Sequence, residues 1–591
     1  MTETIIDYIS GVKVEAGPEE VEATQVFSKI LVEDYHYPKN CIQTRPQYRV
    51  KARPSDTTKE YPVDIAVFSK DTKKEDEVHI IVECKKKTRK DGRTQLEDYL
   101  RFCRAELGVW FNGKERLNLR KYEKNGKVYF EEIPDIPLYG QRIEDIGLYK
   151  RKDLIKPTNL KYIFKSMRNY LAGNVVGATR DEVLAQQLIN IIFCKIYDEK
   201  FTKPDDMVTF RAGVDEDEKD VADRIYKLFD DVKRSYKDVL DSTDSISKEL
   251  DPSSIVYIVG SLQKYCLKDA DRDAIGDAFE VFIGHALKGE QGQFFTPRNV
   301  VKMIVDMLEV KMSDKIIDPC CGSGGFLIEA LRSVWREADA YYTELNWPET
   351  EIEVEKQKIA IENFRGVDKD YFLSKVCKAQ MAILGDGRGG VFCENSLEHS
   401  EAWKEKMRDK VKLENFDVVI TNPPYGSKIK VVGEQILSQF QLAYKWSFNK
   451  KENVWEKSNK LKESDAPQYI FIERCMQFLK PGGRMALVLP DGIFGNDKLG
   501  YIRQYISTYA RLFAIIDIPK ETFLPHTPTK TTVLVVQKYR KTEQSLQDYP
   551  VFMAVCETCG HDRRGNLTED DDILNVASNF KKWREKNGIQ F

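Results

Sequence analysis

"VITNPPYGSK", residues 419–428, ends the apolar run "FDVVI" with an asparagine and two consecutive prolines. Proline cannot donate to a sheet ladder, so a buried strand must stop at this point. The loop it enters is rigid and half polar. The Asn422 side-chain oxygen is one acceptor, and the carbonyl of Pro423, whose φ is fixed by its ring, is a second; Pro424 stiffens the exit. Two acceptors aimed at an –NH₂ group orient its lone pair and offset positive charge that develops on nitrogen. Tyr425 at the tip is placed to stack on an extruded base, a contact worth about 1–3 kcal/mol, comparable to the few kcal/mol that extrusion costs.

About a hundred residues upstream, "KIIDPCCGSGGFLIEAL" (315–331) reads as strand, glycine turn, helix. Gly322, Gly324 and Gly325 let the backbone pass close to a ligand, and the following helix start offers free N–H groups. The pattern is neither G-x-G-x-x-G nor G-x-x-x-x-G-K-[ST], so a dinucleotide fingerprint and an ATP-driven motor are both unsupported. Asp368 in "FRGVDKD" ends the next strand, where a carboxylate grips ribose hydroxyls. A polar insertion places it later than the usual interval. The apolar runs "DKIID", "FRGVD", "FDVVI", "GRMALVLP", "LFAIIDI" and "TTVLVVQK" alternate with helical stretches, which predicts a doubly wound α/β sheet over 271–540.

The remainder of the 591 residues divides by pattern. Residues 1–150 read as mixed α/β, 151–270 as helical ("DEVLAQQLINIIFCKIYDEK", "VADRIYKLFDDVKRSYKDVL"), and 541–591 as a polar tail with a closing helix. A helix is also expected at "AIGDAFEVFIGHAL". The net charge of −3 gives no global field that would recruit nucleic acid, so such binding must be local or borrowed. Twelve scattered cysteines suit a reduced, cytoplasmic chain. No signal peptide and no membrane-length apolar run is read.

A second constellation lies near the N-terminus. Asp64 in "YPVDIAVF" and Glu83-Cys84-Lys85 stand nineteen positions apart. On adjacent strands they place two carboxylates around a hard cation such as Mg²⁺, with a lysine beside them. Glu20 on the first helix is a candidate third carboxylate, and Gln95 and Tyr99 share one helix face. "KKKTRK" (85–90) is either a phosphate contact or a solvated basic edge. Cys556, Cys559 and His561 fall short of the four ligands of a zinc site.

The combination "GDAFE…GEQGQFFTPRNVV", "DPCCGSGGF" and "TNPPYGSK" resembles the modification subunits of type I restriction systems, which are gamma-group N6-adenine DNA methyltransferases. The resemblance covers about 160–590. It implies that Gln293, Phe294, Phe295, Thr296, Pro297, Arg298, Asp318, Gly322, Ser323, Gly324, Gly325 and Asp368 contact S-adenosylmethionine. It implies that Asn422, Pro423, Pro424 and Tyr425 hold the adenine. Asn395 stands where the family often has an Asp that reads the cofactor's adenine. "PEE", "VDIAVF", "IVECKK" and "VWFNGKE" resemble the PD-(D/E)xK domain of type I restriction subunits, which implies nuclease roles for Glu20, Asp64, Glu83, Lys85, Gln95 and Tyr99, with Asp64 and Glu83 holding Mg²⁺. The joined pair resembles type IIB systems. That implies double-stranded DNA as substrate, a separate specificity subunit docked on the tail or the 151–270 helices, and a further restriction subunit as a third partner, with no membrane role. Three alternatives stand beside this reading. One is a modification or cofactor-gated DNA-binding subunit with a silent nuclease-like domain. Another is cytosine chemistry through Pro319-Cys320. The third, methylation of RNA or protein by the same loop, is opposed by the nuclease-like domain and the type I resemblance.

Overall fold

The computed structural model describes residues 3–51, 60–89, 91–174, 181–237, 240, 244–246, 250–270, 296–384, 387–426, 429–524, 527–540, 548–564 and 566–591. The chain falls into two compact units, Met1–Lys237 with Asp241–Ala286, and Asp238–Leu240 with Leu287–Phe591. The expected divisions at 150/151 and 540/541 thus lie inside units. The helix expected at 274–287 lies outside the described residues. Among those described, no helix is long and apolar enough to cross a membrane.

The first unit is built on a six-stranded sheet. Its strands are β1 (Ile42–Gln43), β2 (Ile65–Phe68), β3 (Val78–Cys84), β4 (Leu107–Phe111), β5 (Arg116–Lys124) and β6 (Lys127–Glu132), in the order β6-β5-β4-β3-β2-β1. Only β3 and β4 run parallel. Parallel neighbours need a crossover, and helix α2 (Arg93–Phe102) supplies it after helix α1 (Gln25–Glu33) has opened the fold. Residues of β3 alternate between the faces: Ile80 and Val82 pack with Phe27 and Leu31 of α1, while Ile81 packs with Leu96 and Leu100 of α2. The helical reading of 151–270 corresponds to α3 (Leu160–Asn174), α4 (Asp181–Phe201), α5 (Glu218–Ser235) and α6 (Pro252–Leu262). Two of these start on side-chain caps. Asp217 accepts from the Lys219 N–H at 2.8 Å, and Asp251 accepts from the Ser254 N–H at 2.8 Å, with Pro252 opening α6.

A buried charge network makes this a single unit. Asp135, which follows the sheet, accepts from Lys264 Nζ at 2.9 Å, Arg116 at 3.1 Å and the Tyr35 hydroxyl. Lys264 follows α6. Asp34 accepts from the Thr158 hydroxyl and, at 2.7 Å, from Tyr265. Asp135 and Lys264 are each 2% exposed.

The second unit carries an eight-stranded sheet. Its strands are β7 (Ile316–Asp318), β8 (Phe364–Asp368), β9 (Val391–Cys393), β10 (Phe416–Thr421), β13 (Leu479–Pro490), β14 (Ala510–Asp517), β15 (Thr531–Lys538) and β16 (Phe552–Val555); between β10 and β13 lies a hairpin, β11 (Tyr444–Asn449) and β12 (Val454–Leu461). The sheet order is β9-β8-β7-β10-β13-β15-β14-β16. Strands β9 to β13 are parallel, and β15 runs against both neighbours. Its longer helices are α7 (Arg298–Leu308), α8 (Gly325–Glu344), α9 (Glu349–Asn363), α10 (Tyr371–Leu384), α11 (Pro467–Phe478), α12 (Gly500–Tyr509) and α13 (Ile573–Lys586). From β7 the chain winds first toward β8 and β9, then returns to β10 on the other side. The crevice at such a reversal, beyond the carboxyl ends of the strands, is where ligands bind in doubly wound sheets.

The tail expectation needs correction. Residues 552–555 form β16, which pairs in parallel with β14 and extends the sheet, and Cys559–His561 pairs antiparallel with Leu567–Asp571. The apolar face of α13 (Ile573, Val576, Phe580) joins the core with Val301, Ile304 and Leu308 of α7. The segment folds back because those side chains have a core to enter.

Removing one partner of a buried charge set strands the others, which costs ~3–5 kcal/mol. Asp135→Ala is therefore expected to destabilise the first unit by about that amount in denaturant unfolding, because Lys264 stays buried and Arg116 half-buried without their carboxylate. A loss of less than about 1 kcal/mol, the scale of an exposed pair, would mean that the network does not hold the unit together.

Candidate active site

The glycine turn sits at the reversal between β7 and β10. Gly322 has φ +51° and Gly324 φ +95°, a conformation that favours glycine. A Cβ on Gly324 would also lie 2.6 Å from Cys377 Sγ, whereas one on Gly322 or Gly325 would meet nothing within 4 Å. The turn is pinned from within and open outward at the start of α8. Ser323 is buried, and its carbonyl accepts from Gln380 at 3.2 Å.

Two carboxylates hold this loop. Asp368, at the end of β8, accepts from the Gly322 N–H at 2.9 Å and from the Asp370 N–H at 2.8 Å. Burial pushes its carboxyl up. Asp318, at the end of β7, accepts from the Cys320 N–H at 3.1 Å and from the Thr421 hydroxyl at 2.6 Å. Burial raises it to about 7 against these two hydrogen bonds. Thr421 directly precedes Asn422, so one carboxylate ties the glycine turn to the Asn-Pro-Pro-Tyr loop.

Asn422 meets the third element. Its Nδ2 donates to Thr296 Oγ1 at 3.0 Å. Its Oδ1 is buried and has no hydrogen-bond partner among the described residues. Tyr425 is 3% exposed. Burial raises its phenol, and the Asn422 amide pulls it back. The ring expected to stack on a base is thus packed inside the loop here. Thr296 and Pro297 precede α7, and Arg298 is its first residue; Gln293, Phe294 and Phe295 lie outside the described residues. The neighbouring Asn299 donates to Cys559 O at 3.0 Å and Asp571 Oδ2 at 2.9 Å, so the C-terminal segment braces this loop. Nothing local in the sequence marks Asn299.

Asn395 accepts from the Leu397 N–H at 3.1 Å and receives the Trp403 indole on its carbonyl, which shapes its own turn after β9. Cys320 Sγ lies 2.8 Å from Thr421 Oγ1, and burial pushes its thiol well up. A nucleophilic cysteine needs the reverse. His561 lies 3.8 Å from Cys559 Sγ and contacts the Asp562 carbonyl. Among the described residues no group of three or more His, Cys, Asp or Glu is arranged to hold a metal.

In the first unit, Asp64 lies between the ribbon strand Glu60–Val63 and β2, and its Oδ2 accepts from the Cys84 N–H at 2.7 Å. The register Ile65↔Val82 places Glu83 beside it. Burial raises Asp64 to about 6; burial and the Asp64 charge raise Glu83 to about 7. Lys85 is ion-paired with Glu83. Gln95 donates to the Tyr99 hydroxyl at 2.6 Å, and the charges of Glu83, Lys85 and Asp64 reach Tyr99. Glu20 is engaged elsewhere, with Gln25 at 2.7 Å and Arg45 at 2.5 Å. The carboxylate whose charge acts on Asp64, Glu83 and Lys85 is that of Glu19. Of the basic run, Lys87 pairs with Glu22 at 2.9 Å and Arg89 with Asp91; Lys90 lies outside the described residues.

A doubly wound sheet with a glycine turn at its reversal and an Asn-Pro-Pro-Tyr loop on the adjacent strand defines the class of S-adenosylmethionine-dependent methyltransferase folds. Residues 270–591, more than half of the chain, match the N-6 DNA Methylase family model, and the chain belongs to that family. Residues 18–137 match the model for the N terminus of the type I restriction enzyme R protein. The type I restriction enzyme EcoEI methylase subunit of Escherichia coli is 25% identical over 278 residues, 46% of this chain and 48% of the relative. The StySPI methylase subunit of Salmonella potsdam is 27% identical over 298 residues, 49% of each. The chain spans about half the length of the curated relatives it matches. A solved structure from a study of type I restriction-modification assembly aligns at a TM-score of 0.48 and 17% identity, covering 73% of this chain and 83% of that one.

A pH test follows from Asp318. Its folded pKa is raised from 3.8 to about 7, so the folded chain keeps a proton that the unfolded chain has released. Stability from this group is present in acid and is lost as pH rises through 7. Asp318→Asn keeps an acceptor for Thr421 without the charge. Its thermal midpoint is expected to exceed that of wild type at pH 8, with the difference shrinking toward pH 5; a gap that grows in acid would refute this.

Proposed function

We propose that the chain is the catalytic subunit of a restriction-modification system that transfers a methyl group from S-adenosylmethionine to the N6 atom of adenine in double-stranded DNA. The observation that carries this reading is the buried Oδ1 of Asn422, which lacks a partner among the described residues and whose amide is fixed by Thr296. An unpaired buried acceptor costs about 1–3 kcal/mol. An amino N–H directed at it and at the Pro423 carbonyl removes that cost only when substrate is present. Drawing both N–H bonds onto acceptors aims the nitrogen lone pair outward and offsets its growing positive charge. The bound cofactor supplies an electrophilic methyl group on sulfonium. Positioning then provides most of the acceleration.

The residues present fit that cofactor. The open side of Gly322 and Gly325 admits a ligand close to backbone, and Asp368 and Asp318 hold the turn in shape. In this reading Asn395 contacts the cofactor's adenine ring, and Arg298 with the motif before it contacts the methionine end. A specificity subunit is the partner this reading requires, with a restriction subunit as a further one.

The first unit supports a second activity, cleavage of DNA with Mg²⁺ in a PD-(D/E)xK fold. Asp64 and Glu83 stand on adjacent strands with Lys85 at hand, and a hard cation between two buried carboxylates relieves the repulsion that raises both of them. Glu19, whose charge acts on Asp64 and Glu83, is the candidate third carboxylate of this reading in place of Glu20, with Gln95 and Tyr99 as further candidate contacts.

Asn422→Ala is expected to abolish methyl transfer to DNA, by at least a hundredfold, while cofactor affinity by calorimetry stays within about threefold. Persistent transfer would sink the reading of the loop. For the first unit, the chain purified with its specificity partner is incubated with unmethylated plasmid and Mg²⁺. Wild type is expected to cut and Asp64→Ala not to. Methylation without cutting by wild type would make the N-terminal unit a binding or assembly module.

A further inference from the structure

Between β10 and α11 the chain makes an excursion, leaving and returning on the paired strands Val431–Val432 and Ser464–Asp465. From this base rises the β11–β12 hairpin, in the register Trp446↔Lys457, Ser447↔Glu456, Phe448↔Trp455 and Asn449↔Val454. Residues 444–462 hold six lysines against two glutamates, in a chain whose net charge is −3. Lys462 is used internally, bonded to Asp465 at 2.8 Å and to the Leu442 carbonyl. Lys457 lies over the Tyr444 ring. Lys445, Lys450, Lys451 and Lys460 are exposed and make no ion pair among the described residues. On a helix or sheet surface an unpaired lysine is ordinary; four on one short hairpin, in an acidic chain, make a local field.

The hairpin is also built to keep its place. Trp446 stacks on Tyr501 with centroids 5.8 Å apart, and Trp455 meets the same ring at 5.8 Å. Gln504 accepts from the Trp455 N–H at 2.6 Å and donates to its carbonyl at 2.8 Å. Gly500 at the start of α12 leaves room for the Trp455 indole, since a Cβ there would lie 2.4 Å from Nε1. The base is equally fixed. Val431 and Leu461 pack in one cluster with Leu397, Ile470 and Cys320, and Cys320 touches Thr421 next to Asn422. A clamped basic arm thus stands on the rim of the carboxyl edge that carries the Asn-Pro-Pro-Tyr loop. Phe448 near its tip is 44% exposed.

We propose that this hairpin is a phosphate-contacting arm that grips the DNA backbone flanking the target base, through Lys445, Lys450, Lys451 and Lys460. This rests on the reading that Asn422 acts on a base in DNA. The charge is complementary and the grip is indifferent to sequence, so the arm adds affinity and register while base reading is left to other elements.

The test is the salt dependence of DNA binding by the full chain purified with its specificity partner, using a mixed-sequence duplex. Each phosphate neutralised contributes about 0.9 to the slope of log K against log [salt]. The K445Q/K450Q/K451Q/K460Q variant is expected to lower that slope by about 3 to 4 and to raise the KM for DNA at least tenfold, with kcat at saturating DNA and cofactor affinity unchanged. K450E/K451E, which touches only the turn, is expected to weaken binding in the same direction. An unchanged slope in both variants, with cofactor binding intact, overturns the arm. If wild type transfers no methyl group while the slope still falls, the arm stands as a DNA contact and the catalytic reading fails.

Discussion

A single hydrogen bond, from the Thr421 hydroxyl to Asp318, joins the ends of two adjacent parallel strands. The glycine turn and the Asn-Pro-Pro-Tyr loop meet at that crossing. Asp318 also caps the first N–H of the glycine turn, so the turn, the strand end and the Asn-Pro-Pro-Tyr loop share one buried carboxylate. The cost is a carboxyl held at about 7 by desolvation. A group so placed is kept by geometry rather than by its own stability, in line with the strain that functional sites carry.

Much of this is legible in the sequence, for local reasons. Glycine at positive φ and proline after a strand are backbone demands that the chain writes down at the residue concerned. The turn at 322–325, the loop at 422–425 and the carboxylate at 368 lie together at the carboxyl ends of β7, β10 and β8. What stayed hidden is non-local. No spacing rule pairs Thr421 with Asp318, because that contact depends on the strand order. The same holds for Asn299, whose partners lie about 260 and 272 residues away. The fate of residues 541–591 was hidden for a related reason. A four-residue edge strand with alternating exposure leaves too weak a signature to tell from a polar tail.

The N-terminal carboxylates show a finer limit. Glu19 and Glu20 are neighbours, and the choice between them depends on the phase of the helix start. The turn Glu20–Thr24 is π-helical. An inserted residue of that kind rotates every preceding side chain away from its 3.6-residue position. Asp64 and Glu83 fall side by side because a period of two survives short runs. The helix start carries no such regular period, because the turn beside Glu19 and Glu20 is π-helical.

The brace at Asn299 has a consequence for how the chain is made. The loop that carries Thr296 is completed by Cys559 and Asp571, which are synthesised after every strand of the eight-stranded sheet. The first unit, by contrast, closes its charge network once Lys264 has emerged. Domains generally fold in the order of synthesis. The N-terminal unit therefore has its contacts in place while the loop that carries Thr296 is still waiting for its brace.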